Sequence, residues 1–256
     1  MKLYRVLLSS ISASFRYPNM MINNQLSIKS IPYSTLQGLI AAAYGSYEFG
    51  NLSFSYIFRY EAIFQDIETI YKFKNDDGKI MLNRPTNLSK SKDVYYQGDI
   101  YPSSDAFKRE QLFNCYLTLY LDNEDVAKSF LSPVYQLVFG RSSDLVNVVS
   151  VDDIKAFKSD EMIYCGTVIP ANFDIPGELY MMARSYDYSS LPRKPIDMAI
   201  FTILDGYGKF LETPKTIKQR FSLQNWEFKK PNIIKKQAVF IDEELQTPIL
   251  MRKFVS

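Results

Sequence analysis

The stretch from Ser12 to Gly45 constrains the fold most, because a period-two pattern and a helical pattern meet inside it. Residues 2–16 read as a strand. Up to Leu8 both faces are apolar, as in a central strand. Beyond it, Ile11, Ala13 and Phe15 alternate with Ser10, Ser12, Ser14 and Arg16. After a polar gap the period changes: Leu36, Leu39, Ile40, Ala43 and Tyr44 recur as on one face of a helix. Ser34 with Gln37 three residues on makes a capping box, and Gly45 stands where a C-terminal glycine stops a helix. The expected helix spans 35–45. Gly38 inside it costs about 1 kcal/mol against alanine, so it is expected to permit close backbone packing. This strand–helix unit ends its strand in Arg16 and Tyr17.

The rest of the chain extends the alternation. Leu52, Phe54, Tyr56, Phe58, Tyr60, Ala62 and Phe64 fall on one face of a second strand. Residues 74–107 break the pattern: Asn75-Asp76-Asp77-Gly78 is a turn, and Arg84-Pro85 and Tyr101-Pro102 are extended or turning. This is a long basic and aromatic insertion with room for a hairpin of its own, and an insertion of that length in a compact domain is usually functional or mobile. Residues 109–121 return to strand, with Phe113, Cys115, Leu117, Leu119 and Leu121 on one face. Asp122 can cap a short helix at 123–131, and a β-rich run, Leu145 to Val151, follows Gly140-Arg141-Ser142-Ser143. The order is βαββαβ, which gives an α+β, ferredoxin-like domain of the RNA-recognition-motif kind over 1–160. Residues 161–256 read as a smaller β-rich C-terminal region of short strands and turns.

Composition narrows the chemistry. The chain has no histidine among its 256 residues. Histidine-dependent triads, histidine-ligated zinc and the usual neutral-pH proton shuttle are therefore excluded. Cys115 and Cys165 form neither a disulfide framework nor a metal-binding spacing, so a reducing cytoplasm is the expected setting. No run of about 18 apolar residues is present to span a membrane, and the serine-broken start does not read as a signal peptide. No P-loop or dinucleotide fingerprint occurs. No cofactor, metal or catalytic residue is expected. Net charge is +2 but unevenly spread: residues 72–92 carry six basic and two acidic side chains, residues 209–236 eight and two, and residues 122–187 five and eleven. With 19 Tyr and 18 Phe, this asymmetry suits a nucleic-acid face and a separate protein-facing surface. Hydroxyls leading to Arg16 offer an approach for a phosphate, and Gly140-Arg141-Ser142-Ser143 combines backbone amides, a guanidinium and hydroxyls that suit an anion. A metal-independent ribonuclease using Tyr and Lys remains chemically possible, as does an interaction scaffold with no RNA role; the residues favour binding over catalysis.

Three segments, in order, resemble the Cas-five family of CRISPR-associated proteins in the RAMP superfamily. They are Ser14-Phe15-Arg16-Tyr17-Pro18 with Pro32 and the helix Thr35–Ala43; Lys108-Arg109-Glu110-Gln111-Leu112-Phe113-Asn114; and Pro133 to Ser142 with its Leu-Val-Asn-Val-Val continuation. Such proteins cap the 5′ end of guide RNA (crRNA) in type I Cascade complexes. The resemblance implies a non-catalytic subunit, of type I-B, that holds the 5′ handle, contacts the backbone and large subunits and meets target DNA through the complex. It makes the insertion at 74–107 a thumb-like projection. Arg16, Lys108, Arg109 and Arg141 are the first candidates for RNA contact, with Ser12, Tyr17, Arg84 and Ser142 behind them, and Tyr95 and Tyr96 join Arg84 as thumb candidates. One branch of the family processes precursor RNA with a histidine-containing set, which this chain lacks.

Overall fold

The computed structural model describes residues 2–17, 24–72, 74–76, 79–81, 103–173, 175–189, 193–229 and 232–254. In chain order the first elements are β1 (Leu3–Ala13), β2 (Asn24–Gln25), α1 (Tyr33–Tyr44), β3 (Ser53–Arg59), β4 (Ala62–Lys72), β5 (Lys74–Asp76), β6 (Lys79–Met81), β7 (Ser103–Leu121), α2 (Glu124–Ser129) and β8 (Asn147–Ile154). Then come β9 (Ala156–Tyr164), β10 (Thr167–Pro170), β11 (Glu178–Asp187), β12 (Lys194–Leu204), β13 (Gly208–Phe210), β14 (Trp226–Phe228), β15 (Asn232–Asp242), β16 (Pro248–Ile249) and β17 (Arg252–Lys253). The fold is α+β, rich in strands, poor in helices and mostly antiparallel. Its main sheet runs β17-β3-β7-β1-β8, and β10-β12-β11 form a second sheet.

The main sheet is apolar on both faces, as the start of β1 requires. Tyr4, Val6 and Leu8 of β1 join Leu36, Ile40, Phe54, Phe58, Leu117 and Leu119 in the largest core, which also takes in Val168, Phe201, Ile203 and Phe254 from the C-terminal region. Leu7 and Tyr116 point the other way and pack against Phe221, Trp226 and Leu245. Leu3 and Tyr120 meet Ile249 on that same side. A sheet that reads RNA by stacking bases keeps aromatics on an open face. Here that face is closed by the segment around Phe221, Trp226 and Leu245.

Several local expectations need correction. The helix begins at Tyr33, with Pro32 in the N-cap position and no side-chain cap, so Ser34 and Gln37 form no capping box. Gln37 is buried instead, within 3.4 Å of the Tyr188 hydroxyl. Gly45 ends the helix in the left-handed conformation, its N–H bonded to Ala41 O. A Cβ on Gly38 would meet only Tyr47 Oη, at 3.9 Å, so no tight backbone approach explains it. Asn123 caps α2 by accepting from Val126 N at 3.2 Å, while Asp122 accepts from Ser53 N. Ile11 is exposed, although Ala13 and Phe15 are buried as expected.

The insertion is built on a long two-stranded stem. β4 and the first half of β7 pair without a register shift from Ala62↔Phe113 to Lys72↔Ser103. β5 and β6 form a small hairpin beyond it. At the stem's foot Asn114 has φ 50°, and Glu61 N donates to Phe113 O. There the ribbon leaves the sheet.

Gly166 is held against β3. Phe58 N donates to Gly166 O at 2.6 Å. At φ 57° a Cβ on Gly166 would lie 1.9 Å from Phe58 O. Gly166→Ala is expected to cost well over 1 kcal/mol, since the clash is with backbone; an unchanged midpoint in urea denaturation would contradict this packing.

Burial also fixes the alkaline response. Tyr56, Tyr60, Tyr120 and Tyr164 are buried, and desolvation raises each phenol above its ordinary 10.0. Unfolded tyrosines ionise near 10, so above that pH the folded state holds more protons and stability falls as pH rises. Arg59 has the opposite sign, since burial lowers its guanidinium from 12.5 to about 10. Four phenols outweigh one guanidinium. The melting temperature is expected to fall from about pH 10 upward, with the buried tyrosines' share of tyrosinate absorbance withheld until unfolding. Full ionisation in the folded protein would count against this burial.

Candidate nucleic-acid interface

The strand end that carries Arg16 opens onto a cleft of about 680 Å³. One wall is polar, made by Ser14, Arg16, Ser34, Thr35, Arg109 and Arg141. Three segments converge to build it. The end of β1 is pinned by Ile28 N donating to Phe15 O at 2.7 Å and by Phe15 N donating to Ser27 Oγ at 2.9 Å. The first turn of α1 brings Ser34 and Thr35, and its uncapped N-terminus sets the positive end of the helix dipole at the cleft. The Gly140 turn closes the wall from below.

Gly140 is required there. It has φ 101°, and a Cβ would lie 2.2 Å from Ser14 O, while Ser14 N donates to Phe139 O. Asp144 N then returns to Arg141 O at 3.0 Å, which tightens the turn. Arg141 spans it: Nε and Nη2 donate to the two oxygens of Asp144 at 3.0 and 2.9 Å, and Nη1 donates to Glu68. Asp144 raises the guanidinium above its ordinary value, ahead of the contribution of Glu68. Glu68 also accepts from Arg109 Nε at 2.7 Å. One carboxylate on the stem thus holds two arginines from different elements.

The candidate residues divide accordingly. Arg16, Arg109 and Arg141 line the same cleft, but of the three only Arg16 is exposed, and among the described residues it alone of them has no carboxylate partner. Ser12 donates to the buried Asp144 at 2.7 Å, and Ser10 donates to Leu145 O at 2.8 Å. Those hydroxyls hold the 137–146 loop and do not form an open phosphate face. Tyr17 is buried and donates to Glu178 at 2.7 Å; burial, then Glu178, raises its phenol. Its ring meets Tyr180 edge-on at 5.1 Å, so it fastens β11 to the end of β1. Lys108 and Ser142 are exposed and lie outside the cleft lining. Arg84, Tyr95 and Tyr96 lie outside the described residues.

The opposite wall belongs to β11 and β12, through Tyr180, Met181, Ala183, Tyr186, Pro195 and Met198. Sequence reasoning gave this region no role. The signal was present: Leu179, Met181, Met198 and Ile200 occupy outward positions of strands whose inward residues, Met182 and Phe201, already face the core. Glu68 was also missed, because nothing local marks one carboxylate on a ribbon as the partner of arginines 41 and 73 residues away.

No protein-family model matches the chain, and no curated protein matches it in sequence. Solved chains of similar outline exist at low identity. A chain of a CRISPR RNA-guided surveillance complex is 14% identical, covering 78% of this chain and 88% of its own, with a TM-score of 0.46. A CRISPR protein from Archaeoglobus fulgidus is 12% identical, with 99% of each chain covered and a TM-score of 0.45. A chain of the type III-B Cmr-beta complex bound to cognate target RNA and AMPPnP is 12% identical, covering 98% and 100%, with a TM-score of 0.46.

Asp144→Ala is expected to cost about 2 kcal/mol, because it leaves Arg141 with Glu68 as its one carboxylate among the described residues and takes the acceptor from Ser12. The double variant Arg141→Ala/Asp144→Ala should lose less than the two singles combined, since they share one interaction. Strict additivity in urea denaturation would show that the turn does not depend on this pair.

Proposed function

We propose that this chain is the non-catalytic RNA-binding subunit of a type I CRISPR effector complex, of the Cas-five family and of type I-B. In this reading the cleft beside Arg16 takes the 5′ handle of the guide RNA. The observation that carries the proposal is the convergence of Arg16, Arg109 and Arg141 with the α1 N-terminus in one cleft. These residues come from the three sequence segments that resemble that family, and guanidinium groups with backbone amides suit phosphate oxygens. The main-sheet order β8-β1-β7-β3, with α1 and α2 in the connections, supports the ferredoxin-like assignment. The β4–β7 stem supports reading residues 74–107 as the thumb that meets the backbone subunit. The large subunit packs nearby, and target DNA is reached through the assembled complex.

A binding role fits the cations in place. Arginine stays charged throughout the working pH range and cannot serve as a general base. Arg16 supplies the exposed charge, whereas Arg109 and Arg141 share theirs with Glu68 and Asp144 and shape the wall.

The test is co-purification with guide RNA, followed by crosslinking and salt titration. Crosslinks should be confined to the 5′ handle. Affinity should fall steeply with salt, and Arg16→Ala should weaken binding and reduce the salt slope by about 1. Crosslinks spread along the spacer, or cleavage of repeat RNA in EDTA by the purified chain, would overturn the proposal.

A further inference from the structure

We infer that the β11–β12 wall of the cleft is a base-binding surface, so that the site selects an unpaired nucleotide of single-stranded RNA over a duplex. The inference rests on the RNA reading above and deepens it by naming what the second wall recognises.

The cleft is divided in chemistry. Its polar wall has the Arg16 guanidinium and the positive end of α1, which suit a phosphate. Its other wall offers almost no charge. Met181 is 58% exposed and Met198 50%, far more than a core methionine. They share one face of the β11–β12 pair, where Met181 sits across from Ile200 and Met198 across from Ala183. Leu179 and Ile200 extend the face at 65% and 53% exposure. Tyr186 and Pro195 also line the cleft, but they pair with each other on the other face of the two strands. Exposed apolar surface of this extent marks a binding site, and methionine adapts its shape to flat, variable partners.

Charge complementarity selects the occupant. An apolar peptide would leave Arg16 and the helix N-terminus facing nothing, whereas a free phosphate would leave the methionine wall facing water. A nucleotide carries both halves: an anionic phosphate for one wall and a flat base for the other. The base must be unstacked to reach the wall. A duplex keeps its bases paired and stacked and offers chiefly phosphate and sugar.

The probes are three fluorescently labelled oligonucleotides of equal length: a single-stranded oligouridylate, an abasic strand with the same phosphates, and a duplex RNA. Fluorescence anisotropy should rank the oligouridylate on the order of 10-fold tighter than the abasic strand. Met181→Ala/Met198→Ala should erase that preference and leave abasic binding unchanged, while Met181→Leu/Met198→Leu should retain most of it. Because these side chains are exposed, the variants should melt with the parent, which is to be measured alongside. Arg16→Ala should weaken all three probes. Equal binding of oligouridylate and abasic strand by the parent would overturn the inference while leaving the RNA reading standing, with the wall then free for a protein subunit. Failure of every probe to bind, or indifference of all three to Arg16→Ala, would overturn both.

Discussion

The fold depends on a buried cation at its centre. Arg5, on an interior strand of the main sheet, is fully buried and reaches Asp242 at 2.8 Å, Glu244 at 2.6 Å and Asp152 at 3.1 Å. Burial alone would work against its charge; Glu244, Asp242 and Asp152 outweigh it and hold the guanidinium above its ordinary value. Asp242 also accepts from Tyr120 at 2.9 Å and from Glu244 N and Leu245 N. Apolar side chains could fill the same space with no loss of stability. What they could not do is choose which segment lands there. The carboxylate at the end of β15 decides that Leu245, Trp226 and Phe221 close the sheet's second face. Once that face is closed, a ligand has only the strand ends and the clefts beside them to approach.

That closure explains what the sequence could and could not reveal. The strands were legible because β1, β3 and β7 alternate strongly, and apolar residues on both faces of Val6–Leu8 already announced a central strand. Helix α1 was legible through its period and through Gly45. Its N-terminus was not, because Ser34 and Gln37 fit a capping rule that the chain's packing overrides, with Gln37 drawn inward toward Tyr188. Arg16 stands out locally as a charge after a serine-lined strand. The partners of Arg109 and Arg141 do not, since Glu68 reaches them only through the stem's register. The β11–β12 wall was hidden for a related reason: exposed methionines become a surface only when something stands opposite them.

The two walls of the cleft also come from separate parts of the chain, and one buried tyrosine joins them. Tyr17 ties the end of β1 to Glu178 at the start of β11, and its ring rests against Tyr180. The polar wall from residues 14–35 and 109–141 and the apolar wall from residues 180–198 therefore hold a fixed separation. A pocket assembled in this way is preformed, so a ligand need not spend binding energy to order it.

The stem carries a different consequence, for how such chains can diverge. β4 and β7 pair over eleven consecutive positions without a bulge. Side chains alternate across a strand, so losing or gaining one residue between Ala62 and Glu68 would turn Glu68 to the opposite surface. Arg109 and Arg141 would both lose their shared carboxylate in that single event. Descendants of this sequence can therefore exchange residues along the stem but cannot change its length one residue at a time. Indels there must come in pairs, or in both strands together, for the cleft to survive.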